Sequence, residues 1–311
     1  MGKTAFLFSG QGAQYVGMGK QIAESYESAA GIFDQASEAL GFDIRKMVFE
    51  SDDETLKITE NTQPSIVTMS IACLQPLLEK GVIPDFTAGL SLGEYSAHVC
   101  SGTMNFTDAV ALVRKRGKFM QEAVPVGAGA MAAILGLDAA TVIECCREGS
   151  SEGVVEPANF NCPGQIVIAG EVKAVEKTVE LCKEKGAKRS MLLPVSAPFH
   201  CSLLKPAGEK LAAALEKIDL NPIKIPVVTN VTAGIVEDAS QVKDLLIRQV
   251  SSPVRWEDSV NTMLGGGVDT FVEIGPGKAL SGFVKKIGKD ARIFNVEDVE
   301  SLNKTLSEIA G

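Results

Sequence analysis

Histidine is scarce in this sequence: His98 and His200 are the only two in 311 residues. Any chemistry that needs an imidazole must draw on one of them. Long apolar runs are missing as well. No stretch approaches the roughly 18–20 residues that span a bilayer, and the apolar part of Met1–Phe8 is too short for a secretory signal. A cytoplasmic protein with no membrane partner is therefore expected. No C-x-x-C occurs among the seven scattered cysteines (Cys73, Cys100, Cys145, Cys146, Cys162, Cys182 and Cys201), which argues against a disulfide framework and a zinc site. Cys145 and Cys146 are adjacent on a predicted helix and read as one core and one surface residue. Basic residues are outnumbered, 30 against 39, and the net charge of −9 speaks against nucleic acid as a partner. Two glycine-rich turns lack what nucleotide sites require. In Ser9-Gly10-Gln11-Gly12-Ala13-Gln14-Tyr15, Tyr15 stands where the third glycine of G-x-G-x-x-G belongs. In Gly275-Pro276-Gly277-Lys278, the upstream glycine of a P-loop is missing and Ala279 follows the lysine. No repeat or low-complexity tract occurs.

What is present is a soluble globular composition, 45% apolar and 22% charged, in a chain long enough for one large domain or two ordinary ones. The chain is organised around Asp85–His98, in which Gly89-Leu90-Ser91-Leu92-Gly93 fits G-x-S-x-G. That pattern places a serine on a sharp turn from strand to helix, with its hydroxyl exposed. Flanking glycines leave room for strand and helix to approach closely.

Strands and helices alternate on both sides of this turn. Thr4–Phe8 and Phe86–Gly89 read as strands, with helices near Gly19–Ser28 and Ala30–Leu40 and a charged loop around Ser51–Glu54. Asn61–Pro64 opens a long apolar helix to Lys80, with Pro64 in its first turn. From Val126 the pattern changes. Strands at Ala130–Gly136, Gly153–Pro157, Gln165–Ala169 and Lys188–Pro194 alternate with helices at Asp138–Arg147 and Val172–Lys185. That order, βαββαβ, predicts an inserted ferredoxin-like subdomain over 126–194. The larger α/β unit then comprises 1–125 and 195–311. Its second part holds a helix at Lys205–Ile218, strands at Ile225–Thr229 and Gly234–Val236, helices near Gln241–Val250 and Trp256–Leu264, and a strand at Val268–Ile274.

The helix after Ser101-Gly102, which Asn105 or Thr107 can cap, carries Ala109, Leu112, Val113, Phe119, Met120 and Ala123 on one stripe. Arg116 lies in the middle of that stripe, whereas Arg114, Lys115 and Lys118 lie opposite. A guanidinium among apolar residues is costly unless an anion meets it. A bound ligand, a carboxylate of the fold, or snorkelling of the side chain would each satisfy it.

A serine on such a turn needs a base, most often histidine. His98 is seven residues beyond Ser91 on the same helix, about 10 Å along the axis at about 1.5 Å per residue, and cannot reach. His200 remains. A hydrolase of the α/β type would place an Asp or Glu between serine and histidine in the chain. Asp108 and Asp138 are better explained as first-turn and cap residues, while several glutamates stay open. A Ser–His dyad oriented by a backbone carbonyl is the other possibility.

Several segments occur together in one order: Phe8–Gln14, the Ser91 turn, the Arg116 helix, Ala158–Gln165, Val195–His200, Ser252–Trp256 and Glu273–Gly277. In these the chain resembles the malonyl-CoA:acyl-carrier-protein transacylases of fatty-acid synthesis, over nearly its whole length. One departure is Leu90, where the family often has histidine. The resemblance implies an α/β-hydrolase-like domain with a parallel sheet plus the ferredoxin-like insert. It implies Ser91 as nucleophile, His200 as acid–base, and the backbone N–H groups of Gln11 and Leu92 as oxyanion hole. It further implies Arg116 as clamp on a malonyl carboxylate, Gln249 as the residue whose surroundings orient the histidine, and Gln63 and Asn159 as pocket residues. The implied substrates are malonyl-CoA and acyl carrier protein, with no cofactor and no metal. A serine hydrolase or thioesterase using the same pair, a polyketide-type acyltransferase, and a non-catalytic carrier-binding module are the rival readings. Lys183, Lys185, Lys188 and Arg189, or alternatively Lys285, Lys286 and Lys289, are candidates for docking an acidic carrier.

Overall fold

In the computed structural model, residues 2–125, 127–195 and 197–309 are described. Val126, where the sequence pattern changes, Ser196 of the Val195–His200 segment, and the chain ends Met1 and 310–311 lie outside them.

The first part of the chain runs β1 (Lys3–Phe8), α1 (Lys20–Ser25), α2 (Glu27–Leu40), α3 (Ile44–Phe49), α4 (Asp53–Lys57), α5 (Thr59–Glu79), β2 (Phe86–Gly89), α6 (Gly93–Cys100) and α7 (Phe106–Ala123). The middle holds β3 (Gly129–Leu135), α8 (Ala139–Gly149), β4 (Val155–Cys162), β5 (Gln165–Glu171), α9 (Val172–Glu184) and β6 (Arg189–Leu192). The remainder is α10 (Lys205–Leu215), β7 (Val227–Val228), β8 (Ile235–Val236), α11 (Val242–Gln249), α12 (Trp256–Gly265), β9 (Val268–Ile274), α13 (Ala279–Ile287), β10 (Arg292–Val296) and α14 (Val299–Ile309).

One sheet has the order β10-β9-β1-β2-β7-β8, parallel throughout except for the antiparallel β7–β8 pair. Helices cover both faces, so its central strands are apolar on both sides. Alternation along β1 divides the core: Phe6 and Phe8 pack with α2, α5 and α7, whereas Ala5 and Leu7 pack with Trp256, Val260 and Met263 of α12. Because the strands run the same way, the carboxyl ends of β1, β2 and β9 gather on one edge, where ligands bind in open α/β sheets.

The second sheet is antiparallel, ordered β4-β5-β3-β6. This is the expected ferredoxin-like arrangement. Its two faces do different things. Ala132, Ile134, Ile166 and Ile168 meet Val142, Val175 and Cys182 of α8 and α9. Met131, Val167 and Ala169 point the other way, into the core shared with the larger sheet. Among the described residues, no helix is long and apolar enough to cross a membrane.

Several local expectations are corrected. The helix expected at Gly19–Ser28 breaks at Tyr26, whose backbone is extended. The charged loop at Ser51–Glu54 holds a cap, since the Asp52 side chain accepts from Thr55 N at 2.7 Å and starts α4. α5 begins at Thr59, two residues before Asn61, and therefore carries Pro64 past its first turn. β4 continues past Pro157 to Cys162 because register shifts at Pro157/Asn159 and Phe160/Cys162 interrupt the alternation that would reveal a strand. Cys145 and Cys146 are both buried. Asn105 occupies the cap of α7 but makes no capping hydrogen bond.

Candidate active site

Ser91 follows β2 after one intervening residue, Leu90, and has a φ of 52°, a left-handed conformation costly for a residue with a Cβ. The turn is as tight as its glycines suggest. A Cβ on Gly89 would lie 1.9 Å from the Gly93 carbonyl carbon, and one on Gly93 would lie 2.0 Å from Phe8 O. The loop after β1 presses on the same turn, since a Cβ on Gly10 would sit 2.7 Å from Leu90 O. No other residue type fits these three places. Asn230, just after β7, staples the turn: its Oδ1 accepts from Ser91 N at 2.6 Å and its Nδ2 donates to Gly89 O at 2.7 Å.

His200 follows β6, the edge strand of the second sheet, and also has a positive φ, 61°. Its Nε2 lies 2.6 Å from Ser91 Oγ and its Nδ1 lies 2.9 Å from Gln249 O. A backbone carbonyl can only accept, so Nδ1 carries the proton of the neutral ring and Nε2 is left to accept from the serine hydroxyl. Of the two orienting groups left open by the sequence, the structure has the backbone carbonyl. Burial, and secondarily the Arg116 charge, push His200 down to about 4, so it is a neutral base at pH 7.

Arg116, 2% exposed on α7, donates from Nη1 to Gln63 Oε1 at 2.9 Å and from Nη2 to Gln249 Oε1 at 3.0 Å and Ser91 Oγ at 3.1 Å. The Tyr95 ring lies 5.4 Å from its guanidinium carbon. Among the described residues it forms no ion pair; every acceptor named here is neutral. A fold carboxylate in contact and a snorkelling side chain are thereby both set aside. A buried cation with only neutral partners suits an incoming anion.

These groups open on a cleft of about 910 Å³, lined by Gln11, Leu92, Asn159 and Phe199 among others. Among the described residues, the Gln11 and Leu92 amides have no protein acceptor. Gln63 and Gln249 are fully buried and reach the site through Arg116. Asn159 lines the cleft from β4. His98 is buried elsewhere in α6, and neither ring nitrogen has a partner among the described residues.

Two residues escaped the sequence reading. Glu94 is fully buried, and its Oε2 accepts from Asn230 N at 2.8 Å and Gln249 Nε2 at 2.9 Å. Burial raises it to about 7, against the lowering effects of those hydrogen bonds and of Arg116. Its position straight after Gly93 was the available signal. Asn230 lies in a short loop between β7 and β8, and nothing local marks it.

Residues 5–304 match the acyl transferase domain family. The malonyl CoA-acyl carrier protein transacylase of Bacillus subtilis (strain 168) is 49% identical over 310 residues, covering 99% of this chain and 98% of its own length. The crystal structure of the Clostridium perfringens enzyme of that name is 50% identical, with a TM-score of 0.96, over 99% of this chain and 97% of its own. A second structure, a type II PKS acyl-carrier protein in complex with its malonyl-transacylase, is 43% identical with a TM-score of 0.96, over 98% of this chain and 99% of that one. The elbow at Ser91, the His200 and Arg116 it meets, and likeness along almost the entire chain lead to one conclusion: this chain belongs to the malonyl CoA-acyl carrier protein transacylase family of acyltransferases.

Proposed function

We propose that the chain transfers a malonyl group from malonyl-CoA to the phosphopantetheine thiol of an acyl carrier protein, in fatty-acid synthesis. The observation that carries the reading is the position of Ser91 Oγ, 2.6 Å from His200 Nε2 and 3.1 Å from Arg116 Nη2. A nucleophile, its base and a carboxylate-binding cation meet at one atom.

In the first half-reaction, Ser91 Oγ attacks the thioester carbonyl while His200 Nε2 takes its proton. The Gln11 and Leu92 amides donate to the oxyanion. Collapse expels the CoA thiolate, which His200 protonates. In the second half-reaction the carrier's thiol gives its proton to His200, attacks the acyl-serine, and regenerates the Ser91 hydroxyl. Arg116 holds the malonyl carboxylate throughout, where its planar fork matches two carboxylate oxygens. The Ser91 contact of Nη2 gives way as that carboxylate enters. Gln249 orients His200 through its carbonyl, Gln63 supports Arg116, and Asn159 shapes the pocket wall. Each step uses the two thioesters and this chain's own groups, so the reaction calls for no cofactor.

The reading takes 1–125 and 195–311 as the catalytic domain and 126–194 as an insert that forms one wall of the cleft, with the reaction in the cytoplasm. Met131 and Val167 on that wall support it. The deciding experiment is incubation with malonyl-CoA followed by mass measurement of the Ser91 peptide. A malonyl addition that disappears when carrier protein is supplied supports transfer. Release of malonate at the same rate without carrier would favour a hydrolase instead.

A further inference from the structure

We propose that Glu94 is a positioning residue that holds the nucleophile turn, the arginine and the histidine as one unit. The proposal deepens the transfer reading above and rests on it for the substrates it names. Glu94 touches none of the reacting atoms. It acts through two partners, each of which has several tasks in the site.

The first partner is Gln249. A carboxylate only accepts, so Glu94 Oε2, 2.9 Å away, must face the amide nitrogen of Gln249 and not its oxygen. The second hydrogen of that nitrogen goes to Ser91 O at 3.0 Å. With Nε2 held by these two acceptors, Gln249 Oε1 has to point at Arg116 Nη2, 3.0 Å away. The backbone oxygen of the same residue receives His200 Nδ1–H at 2.9 Å. One side chain thus turns the arginine and ties it to the serine turn, while its main chain turns the histidine. Glu94 fixes which end of the amide does which.

The second partner is Asn230. Glu94 Oε2 accepts its backbone N–H at 2.8 Å, and this fixes the place from which the Asn230 side chain binds Ser91 N and Gly89 O. The strained Ser91 backbone is therefore braced from both sides, by Asn230 at its amide and by Gln249 at its carbonyl. A buried carboxylate is an expensive way to fill space. Two donors converging on one oxygen, each belonging to a residue that touches the site, give a reason for it.

The test compares Glu94→Gln with Glu94→Met, which keeps the length of the side chain but removes both acceptors. Three quantities are read: the rate of Ser91 labelling by a fluorophosphonate, the rates of acylation by malonyl-CoA and acetyl-CoA, and the melting temperature. Fluorophosphonate needs no malonyl or carrier site, so it reports on the turn even should the transfer reading fail in the unmodified protein. Glu94→Met is expected to lose about 10–100-fold in labelling, the scale of a misplacement of about 1 Å. Its malonyl-over-acetyl preference should fall as well, because Arg116 loses its oriented acceptor. Glu94→Gln, whose amide oxygen can take the place of Oε2, should recover labelling and preference to within about threefold of the parent. A Glu94→Met protein that labels and discriminates like the parent would overturn the proposal. So would a Glu94→Gln protein that melts like the parent yet is as impaired as Glu94→Met, since charge and not acceptor geometry would then be the requirement. Should Glu94→Met not fold, a Glu94→Gln protein that melts like the parent but labels more than about tenfold slower overturns the proposal, and one within about threefold of the parent upholds it.

Discussion

Ser91 and His200 meet at 2.6 Å across 109 positions of the chain, and both sit in the left-handed region, with φ of 52° and 61°. Strain of this kind costs on the order of 1–3 kcal/mol per residue and persists only where neighbours over-determine it. At Ser91 those neighbours are Asn230 and Gln249. The pair is therefore held ready before any substrate arrives.

The first prediction concerns this dyad. Ser91→Ala should abolish the acyl-enzyme, and His200→Ala should slow its formation by roughly 10²–10⁴-fold, the usual worth of general acid–base catalysis. His98→Ala should leave the chemistry intact, since that ring is buried in α6 and has no hydrogen-bond partner among the described residues. Single-turnover acylation of all three, each checked for folding, settles the assignment. Equal damage from His98→Ala and His200→Ala would defeat it.

The acid limb of the pH profile follows from the same residue. His200 lies near 4 instead of its ordinary 6.5, pushed down by burial and then by Arg116. A base with a depressed value stays unprotonated as pH falls, so activity should persist below 6.5. We expect kcat/KM for acylation by malonyl-CoA to be flat from pH 7 to about 5 and to fall only below that, since this parameter reports the free enzyme. A break at 6.5 or above would show that the imidazole titrates normally.

Substrate choice should rest on Arg116. Removing one partner of a buried ion pair costs about 3–5 kcal/mol, or roughly 10²–10³·⁵-fold at about 1.4 kcal/mol per decade. Arg116→Ala should lose malonyl acylation by that factor while acetyl acylation holds or improves. Arg116→Lys should recover only part, because an ammonium cannot make both parallel hydrogen bonds. Parallel loss of both substrates would mark Arg116 as a structural support of Ser91 and Gln249 alone.

Carrier docking is testable at Lys188 and Arg189, both on the surface, on a strand edge that continues into Leu193 and Val195 of the cleft. The chain is net −9, so an acidic partner needs a local positive patch. Reversing both charges should raise the carrier's KM and leave acylation by malonyl-CoA nearly unchanged. If the effect appears instead on reversing Lys285, Lys286 and Lys289, the end of α13 and the turn after it form the docking face.

Stability should respond to acid through His98. Burial alone lowers it to about 4 from 6.5. A folded value below the unfolded one gives stability that is complete above about pH 6.5 and is lost as pH falls through 4. At about 1.36 kcal/mol per unit the contribution is on the order of 3 kcal/mol. Thermal melts from pH 7 to 4.5 should therefore slope less steeply in His98→Phe than in the parent. Identical slopes would mean that the folded protein protonates His98 without cost.

The sequence by itself determined the Ser91 turn, because its glycines answer to a local requirement: Gly89 and Gly93 stand where any Cβ would collide with backbone. It determined the order of most strands and helices through β9 on the same ground, since alternation and helical periodicity are short-range signals. Arg116 was legible too, as a charge on an apolar stripe. His200 could be reached by elimination, with only two histidines to choose from. The bulges in β4 hid its second half, and β10, an edge strand mixing Arg292 and Asn295 with apolar residues, gave no alternation to read. Family resemblance pointed to Gln249, but tertiary structure alone decided that a backbone carbonyl and not a carboxylate orients the histidine, and what steadies the serine. Gln249 and Asn230 lie 158 and 139 positions from Ser91, and their work is done by hydrogen bonds to backbone atoms. A backbone carbonyl is the same in every residue, so no pattern of side chains can announce which one will be used. Glu94 illustrates the same limit at close range: it adjoins the turn in sequence, but its task exists only once distant donors have been folded against it.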